Sequence, residues 1–243
     1  MMTKIQGVFF DLGWTLEKPH SGDWMFTDYF WMCMPAVLKP LYRTAQWLEA
    51  EDKAADAAFR DTGKILTMEQ EEALFRVFFR AFTERIGFPA DAETCDRMAR
   101  EHVWNFANYV WLPDMETTVR RLHRDGCRVG IISDTWPSSH PYLKFAGVED
   151  LFDTITFSCD LGVMKPDPLM YEDALRQMQL PGSECVFVDD LPKNLLKAQE
   201  YGIHPVQSAA NPLCVPDPRF PHVQGPAEVP AVLAALNAEI SQK

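Results

Sequence analysis

Three short apolar runs in this chain each stop at an aspartate, and that pattern limits the possible folds more than any other feature. Val8-Phe9-Phe10 ends at Asp11, Val129-Gly130-Ile131-Ile132 ends at Ser133-Asp134, and Cys185-Val186-Phe187-Val188 ends at Asp189-Asp190. Runs without polar alternation read as strands covered on both faces, as in a parallel sheet flanked by helices. Weaker runs at 154–157 and 203–206 extend the set. Helical patterns lie between them. Asp114 is placed as the N-cap of a helix ending at Gly126. A second helix runs from Pro168 to Met178, and a third from Pro192 to Tyr201, stopped by Gly202. The alternation predicts an α/β class, with a Rossmann-like parallel sheet and ligands at the carboxyl ends of its strands. The aspartates are at those ends.

The stretch 17–110 breaks the alternation. It shows no strand and much helix. Thr67 with Gln70 forms a capping box, Leu74, Phe75, Phe78, Phe82 and Ile86 follow at helical spacing, and Asp91 opens another helix. The boundaries expected are 1–16 plus 111–243 for the α/β core and 17–110 for an inserted α-helical cap domain. Trp24, Phe26, Tyr29, Phe30, Trp31, Met32 and Met34 read first as the cap's own core. Ala210 to Pro230 reads as an ordered surface loop and 230–240 as a final helix. Arg120, Arg121, Arg124 and Arg128 read as the solvated side of a helix, and His102, His123 and His222 as ordinary residues.

Charge narrows the partners. With 23 Lys and Arg against 35 Asp and Glu, the net charge is −12, which disfavours nucleic acid and anionic membranes. No run is long and apolar enough to cross a bilayer. The N-terminus passes almost directly into the first strand without a leader-like segment, so a cytoplasmic location is expected. The six cysteines, Cys33, Cys95, Cys127, Cys159, Cys185 and Cys214, form no CxxC pair and are expected as buried, reduced thiols. The oligomeric state is not legible.

Clustered carboxylates repel one another unless a cation joins them. Magnesium takes oxygen ligands, using one or two carboxylates with substrate phosphate. Lys165, in Gly-Val-Met-Lys-Pro-Asp-Pro, adds a point charge for phosphate, and an aspartate can serve as a nucleophile.

In their order, these residues resemble the haloacid-dehalogenase superfamily, subfamily I with a helical C1 cap. Phe9-Phe10-Asp11-Leu12-Gly13-Trp14-Thr15-Leu16 is similar to its first motif and Ile131-Ile132-Ser133-Asp134 to its second. Lys165-Pro166 is similar to the third, and Val186-Phe187-Val188-Asp189-Asp190 with Asn194 to the fourth. The resemblance implies a magnesium-dependent phosphatase of a small phosphorylated metabolite, working through an aspartyl-phosphate. Asp11 would be nucleophile and metal ligand. The Gly13 carbonyl and Asp190, helped by Asp189, would complete the protein's share of the Mg2+ shell. Ser133 and neighbouring amides would hold the phosphoryl oxygens, and Lys165 would screen Asp11 and stabilise charge. Thr15 and Asn194 would support the loops, and Asp134 and Trp14 would border the substrate.

One position departs from the pattern. The family's phosphatases usually carry, two residues after the nucleophile, an aspartate that protonates the leaving oxygen. Here Gly13 stands there. Another group could replace it (Glu17, His20, Asp23 or Asp134), or the substrate carries a good leaving group. The alternative function is a degenerate phosphate-binding or regulatory protein with little turnover. Attack on carbon, as in dehalogenases, fits poorly with the carboxylates at 189–190.

Overall fold

A computed structural model describes residues 4–60 and 62–242. Its strands are β1 (Gly7–Phe10), β2 (Glu17–Pro19), β3 (Tyr109–Trp111), β4 (Arg128–Ser133), β5 (Thr154–Phe157), β6 (Cys185–Asp189), β7 (His204–Ser208) and β8 (His222–Val223). Its helices are α1 (Asp28–Cys33), α2 (Ala45–Phe59), α3 (Met68–Arg85), α4 (Ala92–Trp104), α5 (Met115–Arg124), α6 (Ser139–Phe145), α7 (Ser158–Leu161), α8 (Pro168–Met178), α9 (Pro192–Glu200) and α10 (Val229–Ser241).

The expected parallel sheet is present. Six strands run in the order β5-β4-β1-β6-β7-β8, with every pairing parallel. All residues of β1 and β6 are buried, as their unbroken apolar runs require. The chain winds outward from β1 through β4 and β5, then crosses to β6 and β7 on the other side. The strand order therefore reverses at β1, where an open α/β sheet leaves its ligand crevice. Phe10 pairs with Ile131 on one side and Val188 on the other, which sets Asp11 level with Ile132 and Asp189. Gly130 leaves room for Thr154 of the neighbouring β5: a Cβ there would meet Thr154 Oγ1 at 2.1 Å.

Two compact units account for the chain. One contains the sheet and is made of the stretch ending at Lys18, Trp111–Thr135, and the stretch from Leu143 onward. On one of its faces Phe9, Ile132, Met170, Tyr171, Phe187 and Leu195 pack into an apolar core. The second unit is helical and comprises Pro19–Val110 with Trp136–Tyr142. Phe26, Phe30, Trp47, Phe78 and Phe82 are fully buried at its centre. Helix α3 opens with the capping box of Thr67 and Gln70, and α4 with the Asp91 cap. Among the described residues no helix is long and apolar enough to cross a membrane.

Several local expectations need correction. The stretch 17–110 does contain strand, since β2 and most of β3 form a two-stranded sheet at its margins. Asp114 is the N-cap residue of α5 as expected, but it lies in the left-handed region (φ 63°) and its side chain makes no capping bond. Arg128 begins β4 and donates to the Met178 carbonyl, so it belongs to no helix face. Met32 is 72% exposed and Trp24 37%, so they lie outside the aromatic core that takes in Phe26, Phe30 and Met34. The tail is not all loop: β8 adds an edge strand within it. Cys33, Cys159 and Cys214 are only partly buried, unlike Cys95, Cys127 and Cys185.

Candidate active site

Asp11, Ser133, Asp134, Asp189 and Asp190 owe their positions to a strand end or to the loop after it, whereas Lys165 comes from the loop between α7 and α8 and Asn194 from the first turn of α9. Asp11 follows β1, its amide donating to the Val188 carbonyl at 2.9 Å. The chain then turns tightly: the Leu12 carbonyl accepts from the amides of Thr15, Leu16 and Glu17, and the Trp14 amide donates to the Glu17 carbonyl at 2.7 Å. Gly13 lies in this turn and Trp14 takes a left-handed conformation (φ 53°). Thr15 is buried, and its hydroxyl has no hydrogen-bond partner among the described residues.

Lys165 reaches the centre from the loop between α7 and α8 and is 4% exposed. Its Nζ donates to Asp11 Oδ1 at 2.6 Å, Asp189 Oδ2 at 2.7 Å and the Ile132 carbonyl at 3.1 Å. All three ammonium protons are thus committed. The loop is fixed by Asp134, whose Oδ1 accepts from the Lys165 amide at 2.8 Å. Asp134 accordingly holds the lysine's backbone. Ser133 ends β4 and is buried.

Asp189 is engaged by protein donors at both of its carboxylate oxygens. It is fully buried, and its oxygens accept from the Leu191 amide (2.8 Å), twice from Asn194 Nδ2 (3.1 and 3.0 Å) and from Lys165. A carboxylate offers about four lone-pair sites, and here protein donors occupy them. Asp189 is a brace between the lysine and the start of α9. Asn194 is held in turn by Tyr171, whose hydroxyl donates to its carbonyl at 3.0 Å. The Asp190 side chain is different, since no donor from another described residue reaches it.

The electrostatics match this division. Burial pushes the Asp190 carboxyl up to about 7, with Asp189 and Asp11 adding repulsion and Lys165 opposing it. Burial likewise raises Asp11 to about 6, against the pull of Lys165, while Asp189 and Asp134 raise it further. Burial raises Asp134 as well. For Lys165 burial favours the neutral amine, but Asp11, Asp189 and Asp134 more than offset this and hold it charged. One ammonium thus faces four carboxylates and leaves the cluster negative.

Such a cluster fits a hard divalent cation. Asp11 Oδ2, the Asp190 carboxylate and the Gly13 carbonyl are all oxygen donors, and no described residue donates a hydrogen bond to the last of these. A small dication would relieve the repulsion that raises Asp11 and Asp190.

Other candidates fall elsewhere. His20 pairs with Asp28, and Asp23 accepts from the Met25 and Phe26 amides and the Tyr42 hydroxyl, so both serve the helical unit's own fold. Glu17 is buried at the end of the turn after Asp11, where its backbone bridges to Gly13. Sequence reading missed Gln207 and Ser208. It ended the strand at Val206, whereas β7 continues to Ser208 and carries both polar side chains to the sheet's ligand edge. Their signal was position alone: polar residues following an apolar run in a parallel sheet.

Comparison with known proteins gives a consistent picture. The family model described as haloacid dehalogenase-like hydrolase matches residues 41–202. A sesquiterpene phosphatase of Aspergillus oryzae is 33% identical over 90 residues, covering 37% of this chain and 46% of the relative. The chain spans less than half the length of the curated relatives it matches. Among solved structures, the L-2-haloacid dehalogenase RSc1362 aligns with a TM-score of 0.69 at 19% identity, covering 96% of this chain and all of that one. A HAD phosphatase from Thermococcus onnurineus aligns with a TM-score of 0.59 at 18% identity, over 94% and 98% of the two chains. At these identities the structural likeness concerns the fold.

Proposed function

Because the chain belongs to the haloacid dehalogenase-like hydrolase family, we propose that it is a magnesium-dependent phosphatase of a small phosphorylated metabolite, acting through an aspartyl-phosphate on Asp11. The observation that carries this reading is the buried grouping of Asp11 with Lys165 beside an Asp190 carboxylate that no donor from another described residue reaches. The phosphatase name of the Aspergillus relative supports the same choice. A dehalogenase attacks carbon and has no phosphoryl charge for a metal ion to neutralise.

Asp11, Asp190 and the Gly13 carbonyl would hold Mg2+. When bound, the ion supplies Lewis-acid neutralisation of the phosphoryl oxygens. Asp11 Oδ2 is the nucleophilic atom, since Oδ1 is engaged by Lys165. Attack on phosphorus forms the Asp11 O–P bond and breaks the P–O bond to the leaving group, which departs as an oxyanion and takes its proton from water. Water then cleaves the acyl phosphate and restores Asp11. Lys165 keeps Asp11 ionised despite its burial and stabilises the charge that gathers on the phosphoryl group. The Ser133 hydroxyl binds a phosphoryl oxygen. Asp189, Asn194 and Asp134 position these groups.

Gly13 brings no proton donor to the leaving oxygen, and general acid help is typically worth about 10²–10⁴ in rate. This favours substrates with good leaving groups. It also motivates a second reading, a phosphate-binding relative with little turnover. Phosphate release from p-nitrophenyl phosphate, with and without Mg2+, separates the two. Turnover that requires Mg2+ and is abolished in a folded Asp11→Asn variant is the expected result. Turnover retained in Asp11→Asn would remove Asp11 as nucleophile, and none in the wild type would favour the binder.

A further inference from the structure

We infer that Gln207 and Ser208, at the carboxyl end of β7, are positioning residues for the divalent-cation site, gripping by their backbones the two loops that carry its ligands. The inference rests on the magnesium-dependent reading above and assigns residues that reading leaves unused.

Ser208 is 1% exposed, and its hydroxyl donates to the Trp14 carbonyl at 2.6 Å. Trp14 is a bulky residue in the left-handed region, a conformation that persists only where its surroundings enforce it. It is held at both ends, by Ser208 at its carbonyl and by the Glu17 carbonyl at its amide. The Trp14 N–H and the Gly13 C=O belong to one peptide plane and point in opposite directions. Fixing that N–H on Glu17 therefore turns the Gly13 carbonyl the other way. The Ser208 bond secures the next peptide plane and keeps Trp14 from relaxing.

Gln207 does the same for the second loop. It is fully buried and level with Asp189 across the β6–β7 pairing. Its Nε2 donates to the Asp190 carbonyl at 3.2 Å. The Asp190 C=O shares a peptide with the Leu191 N–H, which donates to Asp189 Oδ1 at 2.8 Å. The peptide after Asp190 is thus gripped from both sides, and the side chain projects from a fixed backbone. Gln207 is itself anchored, since Nε2 also reaches Cys214 Sγ (3.3 Å) and Oε1 accepts from the Asp217 amide (2.6 Å). One strand end therefore holds the loop of Asp11 and Gly13 through Ser208 and the loop of Asp190 through Gln207. Supporting residues of this kind typically contribute about 10–100-fold to metal affinity.

The test is metal binding by the full chain without substrate. Mn2+ affinity is measured by electron paramagnetic resonance and Mg2+ affinity by calorimetry, in wild type, Ser208→Ala, Ser208→Thr and Gln207→Leu. Thermal unfolding of each metal-free protein is recorded alongside. Ser208→Ala should weaken both ions about tenfold or more with little change in metal-free unfolding. Ser208→Thr, which keeps the hydroxyl, should stay within about threefold of wild type. Gln207→Leu should also weaken binding; if it fails to fold, the Ser208 pair decides. Wild-type affinity in Ser208→Ala, or equal weakening in Ser208→Ala and Ser208→Thr, would overturn the inference and leave the magnesium reading standing. No binding by the wild type would overturn that reading and this inference with it.

Discussion

Lys165 Nζ sits between two aspartates that the chain holds far apart in sequence, 2.6 Å from Asp11 Oδ1 and 2.7 Å from Asp189 Oδ2. All three side chains are at least nine-tenths buried. The lysine is therefore both the proposed charge stabiliser and the counter-ion that makes two buried carboxylates tolerable.

Removing it should cost stability as well as activity. Breaking a buried ion pair from one side typically costs about 3–5 kcal/mol, because the remaining charge is left uncompensated. Lys165→Met is expected to lose turnover and to lower the urea midpoint by a corresponding amount at pH 8. A Lys165→Met protein as stable as wild type would mean that the carboxylates find another cation.

Gly13 predicts a preference that can be read from leaving groups. Aryl phosphates, whose leaving oxygen needs no proton, should be turned over faster than alkyl phosphates by about 10²-fold or more. Gly13 does not have a left-handed φ, so an aspartate there meets no backbone strain. Gly13→Asp should narrow the difference by speeding the alkyl esters. Equal rates on both classes in the wild type would point to a group that already supplies the proton, with Glu17 the first to replace by Gln.

In the helical unit two buried groups give stability opposite dependences on pH. Glu71 accepts from the Ser138 amide (2.9 Å) and hydroxyl (2.8 Å) and is 1% exposed, and burial raises it from 4.5 to about 7. Between those values the folded state keeps a proton the unfolded state has lost, so stability falls as pH rises through the window. His102 is pushed down from 6.5 to about 4 by burial. There the folded state refuses a proton, so stability falls as pH drops from 6.5 to 4. Glu71→Gln should gain on wild type by up to roughly 3 kcal/mol between pH 4.5 and 8, and His102→Gln should flatten the acid limb. Urea unfolding at pH 4.5, 6 and 8 checks both, and parallel curves for wild type and variants would exclude these residues as the cause.

The sequence by itself determined the parallel sheet and its ligand edge. An unbroken apolar run can be buried only in a covered strand, and a polar residue ending it must lie at the strand's end. Asp11, Ser133 and Asp189 are placed by that rule alone. The capping box at Thr67 and the cap at Asp91 were legible for a related reason, since both depend on residues three apart in the chain. The division of labour among the carboxylates was not legible. Asp189 and Asp190 are neighbours of the same type, yet successive residues at a strand end point in opposite directions. One meets Lys165 and Asn194, while the other meets no donor from another described residue. Gln207 and Ser208 were hidden for the same reason: their partners, Asp190 and Trp14, lie 17 and 194 positions away and come within reach only when β7 pairs beside β6. Local pattern fixes where a strand ends; which hydrogen-bond donor waits there is decided only by how the sheet is assembled.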